Sequence, residues 1–244
     1  MIARLSGISK WYGTKSRVRA LRNVSISIDR AERLMIVGRS GSGKSTLARC
    51  AAKWEQPDEG LVEIDSGVRV QLIPQEPGSS LNPHWTGTEA VAEPYRIYRH
   101  AKNEAMELAR KWLERVELRP ETGHKFTREF SGGEQARLAI ARALAAVTID
   151  DAKAGLLIFD ESFSSLDEEL RTRIFDLLLR LNEELGVGYI FTSHELTIAS
   201  RYVHRIAVME DGELVEEGDR DKILTTPKSD AMLALLAAAK RSGA

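Results

Sequence analysis

The stretch 34-LMIVGRSGSGKST-46 joins four apolar residues to a glycine-rich loop that ends in Lys44, Ser45 and Thr46. The apolar run has the length and branching of a buried strand, and helix-forming residues follow the loop. That context turns G-x-x-x-x-G-K-[ST] from a pattern into a phosphate site. Gly38, Gly41 and Gly43 let consecutive backbone N–H groups face one anion, and the helix N-terminus adds its dipole. Lys44 reaches the β and γ phosphates, and Ser45 offers a hydroxyl to Mg²⁺. Ser40, Ser42 and Thr46 belong to the same nucleotide-contacting stretch.

A phosphate cradle needs a metal holder and a base if it is to hydrolyse what it binds. The run 156-LLIFDE-161 places Asp160 at the C-terminal end of a second buried strand, where open parallel sheets collect their ligands. Asp160 is then the residue to hold Mg²⁺ through water, and Glu161 the one to polarise the attacking water. His194 ends a third strand in 189-YIFTSHE-195 and is a candidate γ-phosphate contact. Gln75 follows Val68 to Ile73 and is a neutral sensor of metal and water. Tyr12, before Gly13, is a candidate to stack on adenine.

Composition restricts what surrounds this site. The chain has 244 residues, 43% hydrophobic and 29% charged, enough for one large domain with a sizeable core. Its 35 basic residues balance 36 acidic ones, which argues against nucleic acid as the principal partner. The single cysteine, Cys50, excludes an internal disulfide. No apolar stretch approaches the ~20 residues needed to span a bilayer, and no leader pattern opens the chain, so the expectation is a cytoplasmic protein.

The hydrophobic periods divide the chain. Val24, Ile26 and Ile28 alternate and, with Arg4 to Ile8, predict an antiparallel edge at the N-terminus. Leu34 to Val37, Leu156 to Phe159, Tyr189 to Thr192 and Ile206 to Met209 predict a mostly parallel sheet. Between these lies a helical signal, with Ala105, Leu108, Ala109, Trp112 and Val116 on one face. The expected architecture is α/β, with residues 1–75 and 150–244 forming the sheet lobe and 76–149 an inserted α-helical lobe. Asp211-Gly212 predicts a hairpin turn, and Ala231 to Lys240 a short helix.

One segment is not absorbed by a single nucleotide site. In 131-SGGEQ-135 a capping box explains Ser131 and Glu134 but leaves Gly132 and Gly133, which weaken the helix they open. Bare backbone at a helix mouth suits an approaching anion, so this mouth reads as a site for a second nucleotide.

In order, Tyr12, the loop 38–46, Gln75, the segment 131–135, Asp160-Glu161, 164-SSLD-167 and His194 resemble the motif series of ATP-binding cassette (ABC) ATPases over nearly the whole chain. The resemblance implies a P-loop NTPase core, with ATP and Mg²⁺ as cofactors. It also implies head-to-tail pairing with a second cassette, identical or related. Ser131 and Gly133 of one chain would grip the γ-phosphate held by the other, with Gly132, Glu134 and Asp167 in the same nucleotide-facing segments. Phe130, Glu134 and Ser162-Phe163 depart from the commoner leucine, glutamine and proline-threonine. Within the family, 73-IPQEPGSSLNP-83 resembles bacterial peptide and nickel importers. That implies a motor docked, through residues near Gln75 to Pro83, on an integral membrane permease at the cytoplasmic face of the inner membrane. Membrane association would come only through that permease. The stretch 225-TTPKSDAMLALL-236 has no His-Pro-Tyr ending, which leaves nickel as good an expectation as peptide. The alternative is an ATPase of a soluble assembly such as the carbon-phosphorus lyase machinery.

Overall fold

The computed structural model describes residues 1–13, 17–149, 152–196 and 199–242. Its centre is a six-stranded sheet. Strand β3 (Arg33–Val37) lies between β7 (Gly188–Ser193) and β8 (Arg205–Glu210); β6 (Ala154–Asp160) and β5 (Val68–Ile73) extend one side, and β9 (Glu213–Asp219) closes the other. All pairs are parallel except β8 with β9, which the predicted hairpin joins. Asp211 and Gly212 turn that hairpin at φ values of 47° and 84°, the left-handed pair such a tight turn requires.

Strands β1 (Ala3–Tyr12) and β2 (Val18–Ile28) pair antiparallel as expected, in a separate sheet whose third strand is β4 (Glu59–Ile64). The apolar pattern does not single out β4, because no residue of it is fully buried and Leu61 is 58% exposed. The two sheets enclose one core. Leu34 and Ile36 of β3 and Leu156 and Ile158 of β6 face the small sheet, packing with Ile8, Leu21 and helix α1 (Lys44–Ala51).

Their neighbours point the other way, as the two-residue period of a strand dictates. Met35, Val37, Leu157 and Phe159 join a second core with α4 (Gly132–Thr148) and α5 (Glu168–Leu185). Helices α2 (Gly87–Ile97) and α3 (Lys102–Arg115) belong to this second core through Val91, Ala105, Ala109 and Trp112. Trp112 is anchored by its indole N–H, which donates to the Tyr95 hydroxyl at 2.7 Å. Two helices close the chain, α6 (Arg220–Thr225) and α7 (Asp230–Ser242). Among the described residues no helix is long and apolar enough to cross a membrane.

Candidate active site

The parallel arrangement brings the C-terminal ends of β3, β6 and β7 side by side, with Val37 opposite Ser193 and Asp160 opposite Thr192. Each strand therefore delivers its next residues to one edge. From β3 comes the loop 38–43. Gly41 and Gly43 have φ of 81° and 101°, backbone that side chains other than glycine resist. Gly43 caps α1 without any side-chain hydrogen bond, so the first amides of the helix stay available to a ligand. The Ser42 hydroxyl is buried with no protein partner, a donor directed at nothing this chain supplies.

Lys44 is 3% exposed, and its ammonium donates to the carbonyls of Gly38 and Arg39 at 3.0 and 3.1 Å. Its third neighbour is Glu161 Oε1 at 3.3 Å. Glu161 Oε2 lies 3.3 Å from His194 Nδ1. Glu161 itself has φ of 50°, an unfavourable conformation for a residue with a side chain. Its N–H donates to Thr192 Oγ1 at 3.1 Å, which holds the turn in place. Ser45 donates to Asp160 Oδ1 at 2.8 Å, and Thr192 donates to the same oxygen at 2.9 Å. Thr192 therefore fixes both acids, a role the sequence reading did not assign. Its signal was a polar residue ending the otherwise apolar run Tyr189-Ile190-Phe191.

The remaining candidates lie at varying distances from this cluster. Tyr12 donates to Glu55 Oε2 at 2.7 Å, and its hydroxyl lies 3.5 Å from Thr46 Oγ1, beside α1. Partial burial raises the Tyr12 pKa, so the phenol stays protonated. Ser40 is exposed on the loop. Gln75, exposed two residues beyond β5, makes no hydrogen bond to the Ser45–Asp160 pair. Asp167 caps α5 by accepting from the Leu170 N–H at 2.8 Å. Ser162 donates to the Ile73 carbonyl at 2.7 Å, and Phe163 packs into the Phe159–Phe175 ring cluster at 5.3 and 5.6 Å. The pair after Glu161 therefore serves packing.

Ser131 and Glu134 form the expected capping box: Glu134 N–H donates to Ser131 Oγ, and Ser131 N–H donates to Glu134 Oε2 at 2.8 Å. That backbone donor holds the Glu134 carboxyl below the usual carboxylate range. The two glycines differ. A Cβ on Gly132 would meet nothing within 4 Å, whereas one on Gly133 would sit 2.4 Å from Leu170 Cδ2. Gly133 thus has an internal reason, the close seating of α4 on α5, in addition to any approach of an anion. Ser131, Gly133 and Glu134 line a cleft with Arg119, Arg137 and Arg173, and no residue of the phosphate loop borders it. The two helix mouths therefore lie apart on the chain.

A glycine loop between strand and helix, a buried lysine, and two acids at a neighbouring strand end define a nucleotide-binding cassette of the P-loop class. A family model described as ABC transporter matches residues 21–164. The chain belongs to the ABC transporter family of ATP-binding ATPases. It is 37% identical over 94% of its length to a probable peptide ABC transporter ATP-binding protein of Sinorhizobium fredii, of which it spans 68%. It is also 37% identical to a glutathione import ATP-binding protein of Salmonella typhimurium and 36% identical to that of Escherichia coli, covering 91% of itself but 37% of each of those proteins. Among solved structures, it resembles a dimeric post-hydrolysis state of the cassette MJ0796 bound to ADP and Pi. That match has a TM-score of 0.78 and 29% identity, and covers 90% of this chain and 99% of the other.

Proposed function

We propose that this chain is the ATP-hydrolysing subunit of an importer for peptide, nickel or a similar small solute, driving a partner permease from the cytoplasmic face of the membrane. The observation that carries hydrolysis is the cluster Lys44–Glu161–His194 beside Ser45–Asp160, all within hydrogen-bond or ion-pair reach at one sheet edge. The import reading is supported by the chain's similarity to a probable peptide transporter ATP-binding protein and to glutathione import ATP-binding proteins.

In this reading the loop amides and Lys44 bind the β and γ phosphates of ATP, and Tyr12 stacks on its base. Ser45 and Asp160 supply two hard oxygens 2.8 Å apart, a donor pair suited to Mg²⁺ that shares its remaining positions with phosphate and water. When bound, the metal neutralises charge on the phosphates. Glu161 accepts the proton of the attacking water, and His194 holds Glu161 and contacts the γ-phosphate. Gln75 senses metal and water from the lobe joint.

The cleft at Ser131 receives the nucleotide of a second cassette packed head to tail. The supporting observation is that no phosphate-loop residue of the same chain borders it. ATP binding then closes the pair, closure moves the permease, and hydrolysis resets it.

The test is affinity capture of the Glu161→Gln chain from detergent-solubilised native cells with ATP and Mg²⁺, beside turnover assays of the purified chain. Glu161→Gln is expected to bind ATP and accumulate as a closed dimer, and Lys44→Ala to lose binding. Wild-type turnover by Glu161→Gln would end the general-base assignment. Co-purification of a multi-spanning membrane protein supports the importer; recovery of soluble enzymes alone would replace transport by a cytosolic assembly.

A further inference from the structure

Helix α5 starts directly after 164-SSLD-167, and Arg171 stands one turn inside it. Its guanidinium bridges two segments that are far apart in sequence. Nη1 donates to Glu195 Oε2 at 2.6 Å, and Nη2 donates to the Leu166 carbonyl at 3.1 Å. Glu195 in turn is fixed by its own N–H, which donates to Ser193 Oγ at 2.9 Å. Its other oxygen lies 3.9 Å from His194 Nε2, and the opposite ring nitrogen of His194 is 3.3 Å from Glu161 Oε2. Arg171, Glu195 and Glu161 also line one cavity, floored by Phe159, Phe163 and Phe191.

Arg171 is largely buried but Glu195 is half-exposed, and an ion pair with one partner in solvent adds little to a fold, so stability does not account for this arrangement. Geometry does. A planar fork can aim two N–H vectors at two acceptors from one rigid group, which an ammonium on a flexible stem cannot reproduce. We propose that Arg171 is a positioning residue for ATP hydrolysis, registering the 164–167 loop against the His194–Glu195 loop and so setting His194 and Glu161. A displacement of the 164–167 loop is then carried to His194 through a single side chain. This rests on the roles given above to Glu161 and His194.

Steady-state ATPase assays of the full chain test it, with Arg171→Ala, Arg171→Lys, Glu195→Gln and the Arg171→Ala/Glu195→Gln double variant. Misplacing a reacting group by about 1 Å costs up to about 100-fold, so the expected fall in kcat is about 10-fold or more for Arg171→Ala and for Glu195→Gln. KM for ATP should stay within about twofold, since neither residue touches the phosphate loop. Arg171→Lys, which keeps charge but not the fork, should fall between. The double variant should be no slower than either single one, because the two side chains act as a unit. Wild-type kcat in folded Arg171→Ala and Glu195→Gln, or losses that multiply in the double variant, would overturn the proposal. Should Arg171→Ala not fold, Glu195→Gln, which preserves shape, decides alone. Equal turnover by the wild-type and Glu161→Gln chains would instead remove the general-base assignment, a failure distinct from that of Arg171.

Discussion

The glycine pair that opens α4 separates packing from ligand approach. Alanine at either position gains up to about 1 kcal/mol of helix propensity, since neither glycine has positive φ. At Gly132 nothing opposes that gain, because a Cβ has no neighbour within 4 Å. At Gly133 the new methyl would meet Leu170 Cδ2 at 2.4 Å and Cδ1 at 3.0 Å. Overpacking of this kind costs about 1–3 kcal/mol, more than the propensity returns, so Gly133→Ala should destabilise by about 1 kcal/mol. Removing the obstruction with Leu170→Ala should reverse the sign: in that background Gly133→Ala should stabilise. Urea midpoints at constant slope measure all four combinations. Equal stability of Gly132→Ala and Gly133→Ala, or no reversal in the Leu170→Ala background, would refute the packing account. ATPase rates on the same proteins add the functional half. If the Ser131 mouth takes a second nucleotide, Gly132→Ala should slow turnover while stability holds or rises.

Ser131→Arg fills that mouth from the other side: it should abolish ATP-dependent dimerisation in size-exclusion chromatography while monomer ATP affinity changes little. Asn182 is buried, accepts from the Arg33 guanidinium, and donates to the carbonyls of Ala31 and Val187 at 3.0 and 2.6 Å. Asn182→Ala takes the donor from both carbonyls and one acceptor from Arg33, which keeps its Nε bond to the Tyr202 carbonyl, and should cost about 3 kcal/mol, read as a lowered urea midpoint. His204 accepts from the Arg33 N–H at 3.1 Å, and desolvation together with Arg33 and Arg220 holds its pKa below 6.5 against the pull of Glu32. The unfolded chain therefore binds the extra proton first. The contribution of His204 is complete above 6.5 and is lost as pH falls below it toward the folded pKa. Urea titrations from about pH 7.5 to 5.5 should show a shallower fall in stability for His204→Asn than for the wild type.

The phosphate loop, the acids at 160 and 161, and the strands that carry them were legible in the order of amino acids. Each of these is a local demand: positive-φ glycines between strand and helix, or an acid at the end of an apolar run, is written within about ten residues. The hairpin at Asp211-Gly212 and the capping box at Ser131 were legible for the same reason. Contacts that span the sheet came from the folded arrangement. Strand β4 entered the small sheet by backbone pairing with β1, which leaves little apolar signature. Thr192 became the support of Asp160 and Glu161 only because β6 and β7 are neighbours in register. Gly133 acquired its packing partner from a helix that begins at Glu168, and Arg171 its fork from a loop beyond β7. Side-chain periodicity states which face a residue buries, but not which strand or helix will meet that face; strand order and helix seating settle it across tens of residues.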